Sequence, residues 1–429
     1  MTIVLIVLFG LMLFGVPVAF AILSSGIVYV VEGGQSLLIM AQRMVSGLNS
    51  FTLLAVPLFI FVGNLMDFGG ISKRLTDWAR SLLGSLPGGL GIVTVVSCAI
   101  FAALTGSGPA TVAAIGSIMI PAMLADGYTK ETSAGMVAAA GALGPIIPPS
   151  IPMIIYGVTM SLSIPKMFIA GIVPGLVIAG ALILVNIFLA FRNPVILENR
   201  HKNKFDLKYS LKCLWRALGA LGLPVLILGG IYGGIFTPTE SAAVAIVYAL
   251  IVGFFYGELK VKDLPKILVN SAKTSAMVNI IISAASLFSW VVAKSRIGDV
   301  IQDWFINLVN GSKNMYLLIL VLILLVVGCL MDNIAATLIL APIFIPIGIQ
   351  LGCNELHIGM LFCIVLVVGF VTPPFGYNLF TAVSLTGLNF KQVVKGTAPF
   401  LIVEIALLFL FAYCPGIITW LPDLLSKVA

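Results

Sequence analysis

The stretch Gly144–Gly157, GPIIPPSIPMIIYG, lies in a run apolar enough to cross a bilayer, yet it carries four prolines. Prolines at 145, 148 and 149 remove backbone donors and press on preceding carbonyls, so a helix stops near Gly144 and restarts after Pro149. The interruption leaves carbonyl oxygens without intrahelical partners, facing the gap. Non-helical backbone at membrane depth persists only where it is buried in protein or lines a wet cavity. The pattern returns at Gly369–Gly376, GFVTPPFG.

The surrounding chain is built for a membrane. Of 429 residues 60% are hydrophobic and 9% charged, with a mean hydropathy of +1.18, whereas soluble domains carry roughly a quarter charged residues. An all-α polytopic membrane protein is expected. A crossing needs about 20 apolar residues, which places spans near 2 to 31, 50 to 67, 132 to 160, 167 to 191, 213 to 235, 238 to 256, 272 to 293, 357 to 384 and 396 to 415. The first run has neither a basic leader nor a small-residue cleavage site and is expected to be a retained span. The longest polar connection, 192 to 212, is a loop by length, which excludes a soluble catalytic domain. Cys98, Cys213, Cys329, Cys353, Cys363 and Cys414 form no CxxC, and His201 and His357 lie far apart, so neither a metal centre nor a disulfide framework is indicated. No Ser/His pair, aspartate pair or His–Glu metal motif sits at membrane depth, which argues against an intramembrane enzyme.

The net charge of +7 has a membrane explanation and does not call for nucleic acid. Arg43, Lys166, Lys294, Arg296, Lys313 and Lys427 fall on one side of these spans and the rest of the 23 lysines and arginines on the other. The positive-inside rule makes the basic side cytoplasmic, with the N-terminus in and the C-terminus out.

Two apolar regions, 89–124 and 314–352, are interrupted midway by polar clusters, TGSGPAT (Thr105–Thr111) and MDNIAAT (Met331–Thr337), and are expected to be re-entrant helical hairpins. Asp77-Trp78 recurs as Asp303-Trp304 and Thr111 as Thr337, each 226 residues on; Gly144 and Pro148-Pro149 recur as Gly369 and Pro373-Pro374, 225 residues on. Landmarks in one order at a near-constant offset indicate an internal repeat: residues 1–212, with hairpin 89–124 and broken helix 132–160; a connecting span, 213–235; and residues 236–429, with hairpin 314–352 and broken helix 357–384. The odd connecting span inverts the second half. Inverted repeats with interrupted helices in corresponding positions are the mark of a secondary transporter with its site near the midplane.

Carbonyls released at the first break, together with the tip Thr105-Gly106-Ser107-Gly108, supply neutral oxygens for a small hard cation. The second half repeats this with Asp332-Asn333 and Val371–Gly376, so two sodium (Na+) sites are expected. Asp332 could ligate the cation, balance its charge from behind, or cap a helix. Thr105, Gly106, Ser150 and Asn378 are the substrate-contact candidates. Thr237-Pro238-Thr239-Glu240 has the form of a capping box, which makes Glu240 a helix start and not a proton carrier. Glu404, inside the last span, receives no role. The segments 72–83 and 299–308 mix charges with Leu, Ile and Trp and are expected to lie in the two interfaces.

Pro57–Leu75 (PLFIFVGNLMDFGGISKRL), Leu104–Met123 (LTGSGPATVAAIGSIMIPAM), the 144–157 break, Phe168–Gly175 (FIAGIVPG), Thr237–Leu250 (TPTESAAVAIVYAL) and Pro373-Pro374 together resemble the large membrane subunit of tripartite ATP-independent periplasmic (TRAP) transporters, over almost the whole chain. The resemblance implies an ion-transporter-superfamily-like fold and an elevator-type, sodium-coupled importer in the bacterial inner membrane. It also implies a small four-helix membrane subunit, a periplasmic substrate-binding protein, and an organic acid such as a C4-dicarboxylate or a sialic acid. It carries sodium contacts onto Ser107, Gly108, Gly144, Pro148 and Pro149, and onto Asp332, Asn333, Thr337, Thr372, Pro373 and Gly376. The rival within transporters is a free-standing sodium/carboxylate symporter of the divalent-anion type. Such symporters usually carry Ser-Asn-Thr at both tips, and here the tips are Ser-Gly-Pro and Asp-Asn-Ile.

Overall fold

The computed structural model describes residues 2–199, 205–295 and 297–426; Arg200, His201, Lys202, Lys204, Arg296 and Lys427, which entered the sequence reading, lie outside the described residues. Among the described residues every regular element is helical. The first 31 residues depart from the single span expected. They form α1 (Thr2–Leu13) and α2 (Val18–Glu32), separated by a turn with Gly15 at φ +79° and Pro17 before α2. Helices of 12 and 15 residues are about 18 and 22 Å long, short of a ~30 Å hydrocarbon core. Instead α1 folds back on α2, and Val4 and Leu8 join Ala21 and Ile22 in one apolar cluster.

Next come α3 (Leu38–Leu48), a 3-10 turn at Phe51–Leu54, α4 (Ala55–Phe68) and the amphipathic α5 (Ile71–Leu83). The α5 helix buries Ile71, Leu75 and Ala79 on one face while Lys73, Asp77 and Arg80 stay exposed on the other. Helices α6 (Gly89–Thr105) and α7 (Gly108–Ala125) pack as a hairpin joined by Gly106-Ser107. Then α8 (Lys130–Gly141), an irregular segment through Ser150, and α9 (Ile151–Thr159) form the first broken helix, followed by α10 (Ile164–Phe191), the short α11 (Pro194–Asn199), α12 (Leu207–Tyr232) and α13 (Pro238–Phe255). The connecting span begins six residues earlier than hydropathy suggests, because Asp206 accepts from Lys208 N at 2.9 Å and starts α12. The capping box at α13 is present: Thr237 N donates to Glu240 Oε2 at 2.8 Å, and Glu240 N to Thr237 Oγ1 at 3.3 Å.

The second half runs α14 (Leu264–Ser295), the amphipathic α15 (Ile297–Leu308), the hairpin of α16 (Lys313–Leu330) and α17 (Asn333–Gln350) joined by Met331-Asp332, the broken pair α18 (Glu355–Gly369) and α19 (Tyr377–Thr386), then α20 (Phe390–Tyr413) and α21 (Gly416–Ser426). On α15 Trp304 stays exposed while Phe305 is buried against the rings of Tyr316 and Phe344. By length and apolarity nine helices among the described residues could cross a membrane, and the hairpin arms α7, α16 and α17 are among them. Length alone therefore cannot separate hairpin arms from crossings.

Two groups of helices can be traced, joined where α5 and α4 pack on α6 and where α14 packs on α17. One is built on α14, which packs against α2, α3 and α4, with α13 on α4 and α12 on α13. The other joins α8, α10, α18 and α20 with the hairpins. Within it the halves interlock: α7 packs on α8 and on α19, while α17 packs on α18 and on α9. The outer surface bears Leu184, Val225, Ile251 and Ile402, each at least 63% exposed, an apolar coat suited to lipid.

Candidate functional site

The site begins where backbone meets backbone. Gly106, at φ +61°, brings the first hairpin tip onto the first break so tightly that a Cβ there would stand 2.8 Å from Pro149 O and 3.0 Å from Ile151 N. Only glycine combines that φ with that approach. Gly144 abuts the Ser107 carbonyl: a Cβ on Gly144 would lie 2.6 Å from Ser107 O and 2.9 Å from Thr111 Oγ1. Thr111 Oγ1 donates to Ser107 O at 2.8 Å and lies 3.3 Å from Thr105 Oγ1. Gly108 faces Asn378, whose Nδ2 donates to Ala138 O at 3.0 Å and whose Oδ1, fully buried, has no hydrogen-bond partner among the described residues. The cluster of Ser107, Gly108, Thr111, Gly144 and Asn378 therefore gathers oxygens from the hairpin and both broken helices. Pro148 and Pro149 are buried behind it, joined like Pro373 and Pro374 by a cis peptide bond, and Ser150 is tied back, its Oγ donating to Pro145 O at 2.5 Å and accepting from Met153 N at 3.4 Å.

The second half makes different contacts. Gly369 packs against the backbone of Gly328 and Cys329, the last turn of α16, and Gly376, at φ +68°, donates its N–H to Cys329 O at 3.4 Å. Asp332 caps α17, accepting from Ile334 N at 2.9 Å through Oδ1. Thr337, one turn along, is 1% exposed with Oγ1 unpartnered among the described residues. Thr372 Oγ1 donates to Val368 O at 2.9 Å, and Pro373 is half-buried.

Between the two helical bodies lies a cavity of about 640 Å³. Its walls are Ile60, Gly63, Asn64 and Asp67 of α4 with Thr274, Met277, Val278 and Ile281 of α14 on one side. On the other are the tips, Thr105–Ala110 and Asp332–Ile334, with Pro145, Ile151, Phe370 and Tyr377. Thr105, Gly106, Ser107, Gly108, Asp332 and Asn333 thus face one space, whereas Gly144, Pro148, Pro149, Ser150, Thr337, Thr372, Pro373, Gly376 and Asn378 are not part of its lining. Both charged residues around it are acids, Asp67 and Asp332.

Asn64, Asp67, Thr274 and Tyr377 were not singled out from sequence. Asn64 and Asp67 are polar residues three apart in an otherwise apolar helix, so they share a face, and that spacing was the available signal. Asn64 Nδ2 donates to Ser271 Oγ at 2.8 Å, joining α4 to α14 along this wall.

Comparison with known proteins follows the same outline. Residues 5–417 match the family model described as the tripartite ATP-independent periplasmic transporter, DctM component. The isethionate TRAP transporter permease protein DctMQ of Oleidesulfovibrio alaskensis is 41% identical over 96% of this chain, which spans 65% of that relative's length. The C4-dicarboxylate TRAP transporter large permease protein DctM of Pseudomonas aeruginosa is 39% identical over 94% of each chain, and the sialic acid TRAP transporter large permease protein SiaM of Vibrio cholerae 32% identical over 97% of this chain and 96% of its own. The solved structure of Neisseria gonorrhoeae MtrF, described as representing a class of antimetabolite efflux pumps, superposes with a TM-score of 0.58 at 17% identity over 87% of this chain and 84% of that one, a likeness of fold alone. With two helical hairpins and two broken helices around one cavity, and a family match over nearly its full length, this chain belongs to the DctM family of TRAP transporter large permeases, a transporter component and not an enzyme.

Proposed function

We propose that this chain is the translocating subunit of a sodium-coupled importer of a small organic acid in the bacterial inner membrane. It works with a small four-helix membrane subunit and receives its substrate from a periplasmic binding protein. The reading rests on one observation: both hairpin tips face a single cavity whose other wall is formed by α4 and α14. In this reading the two halves are inverted repeats. The body carrying the hairpins slides against the α4–α14 wall as an elevator, with α5 and α15 as the linking arms.

The chemistry of the donors fits sodium. Hard cations take neutral and anionic oxygens. Asn378 Oδ1 and Thr337 Oγ1 are buried oxygens without partners among the described residues, close in sequence or space to Ser107, Gly108, Gly144 and Asp332, and an unsatisfied buried acceptor is costly unless something else satisfies it. One sodium is assigned to Ser107, Gly108 and Gly144 with the carbonyls of the Pro148-Pro149 break, and a second to Asp332, Asn333 and Thr337 with the break at Thr372, Pro373 and Gly376. Bound sodium would supply positive charge to a cavity whose charged residues are acids, so that an anionic substrate can share it. Thr105 and Gly106 are assigned to the substrate directly, Ser150 and Asn378 as supports of that wall. The relatives' names span C4-dicarboxylates, isethionate and sialic acid. A small carboxylate or sulfonate is the class proposed.

The test is uptake into proteoliposomes holding this chain and the small subunit, with the binding protein outside. Uptake should require an inward sodium gradient and ignore ATP. Undiminished uptake in potassium alone refutes the coupling, and full uptake without the binding protein would favour the free-standing symporter.

A further inference from the structure

We propose that a recess at the junction of α5, α12 and the α13–α14 turn binds the phosphodiester headgroup of a membrane glycerophospholipid. The recess holds about 520 Å³ and is separate from the transport cavity. Lys73, Arg74 and Arg216 line it, with Asp77 and Glu258. Arg74 is already committed. Its guanidinium stands 3.5 Å from Glu258 Oε1 and 3.9 Å over the Tyr256 ring, and Nη1 donates to Gly70 O at 3.3 Å. Lys73 and Arg216 have no ion-pair partner among the described residues, and Asp77 is the one acid left to balance them, so the recess keeps a positive excess.

The rim decides the class of ligand. Trp215 and Phe255 are 78% and 87% exposed and flank the same recess. A free anion would use the cations and leave the two large aromatic faces unengaged. A phospholipid uses both, its phosphate on Lys73 and Arg216 and its glycerol and acyl stem along the rings, as basic and aromatic residues do at membrane interfaces. The location agrees: α5 is amphipathic, and the recess lies among the basic loops. A bound lipid would brace α5 against α12, the helix it packs on.

The experiment is native mass spectrometry of the detergent-purified chain with its small subunit, titrated with phosphatidylglycerol and phosphatidylethanolamine. The Lys73→Gln/Arg216→Gln variant should bind about thirtyfold more weakly than the parent, each cation near an anionic lipid counting as roughly fivefold. Trp215→Ala/Phe255→Ala should also weaken lipid binding. All four side chains are exposed, so melting curves should be unchanged. Equal lipid retention in parent and charge variant overturns the proposal. So does displacement of the lipid by inorganic phosphate with the aromatic variant behaving as the parent, which would make this a free-anion site. A Lys73→Cys variant that cross-links to the small subunit in high yield would assign the recess to protein and overturn the proposal as well.

Discussion

Gly144 presents its backbone to the carbonyl of Ser107, 2.6 Å from where a methyl group would stand, and so holds the first break against the first hairpin tip. Gly144→Ala forces that contact apart, a strain of about 1–3 kcal/mol in a packed core. Sodium-driven uptake is expected to fall at least tenfold, with the sodium titration shifted to higher concentration and subunit assembly preserved. An unshifted titration would separate Gly144 from the cation site.

Asp332 separates capping from charge. Its Oδ1 accepts from Ile334 N at 2.9 Å, and Asn caps a helix about as well as Asp. Asp332→Asn should therefore keep the melting temperature of the parent while cutting uptake strongly and raising the sodium requirement. Asp332→Ala should do both and lose about 0.5–2 kcal/mol of stability besides. Parental uptake by the Asn variant would reduce Asp332 to a cap.

Asp67 lines the cavity from the wall opposite the hairpin tips, where it would oppose the proposed anionic substrate. It lies in the last turn of α4, where the helix dipole is also negative, so both oppose a substrate in the cavity. At roughly 8 Å and an effective dielectric of ~40 that repulsion is about 1 kcal/mol. Asp67→Asn should tighten substrate retention about fivefold, seen as stronger inhibition of uptake by substrate preloaded inside the vesicles. Unchanged inhibition would show that the anion never nears this carboxylate.

Asn378 is a tie between the halves. It is fully buried and donates to Ala138 O at 3.0 Å, joining α19 to α8. Asn378→Ala leaves that carbonyl without its partner, at a cost of about 1–3 kcal/mol. A melting midpoint lowered by a few degrees in the purified subunit is the expected result, and parental melting would mean that water replaces the amide.

The sequence displayed what is local. Gly106 follows the end of α6, and Pro145 and Pro373 each stand four residues past the last residue of α8 and α18, so hairpin tips and breaks are legible without coordinates. Facing is not local. Asn378 and Tyr377 are adjacent, yet Tyr377 lines the cavity while Asn378 turns to α8, and only packing decides that. Asn64 and Asp67 are hard to see in sequence because two polar residues in an apolar run blur into its average. The fold-back of α1 was hidden for the same reason, since hydropathy from 2 to 31 does not register a turn at Gly15.

The bond from Gly376 N to Cys329 O and the contact of Gly106 with Pro149 O stitch each hairpin to its own helix break. In evolution and in engineering the heritable unit is then larger than a tip: each hairpin with its own break, and the helix of the other break on which it also packs, α7 on α19 and α17 on α9. A tip transplanted alone from a relative would meet a backbone contour shaped for another partner, and chimeras should survive only when these pieces cross over together.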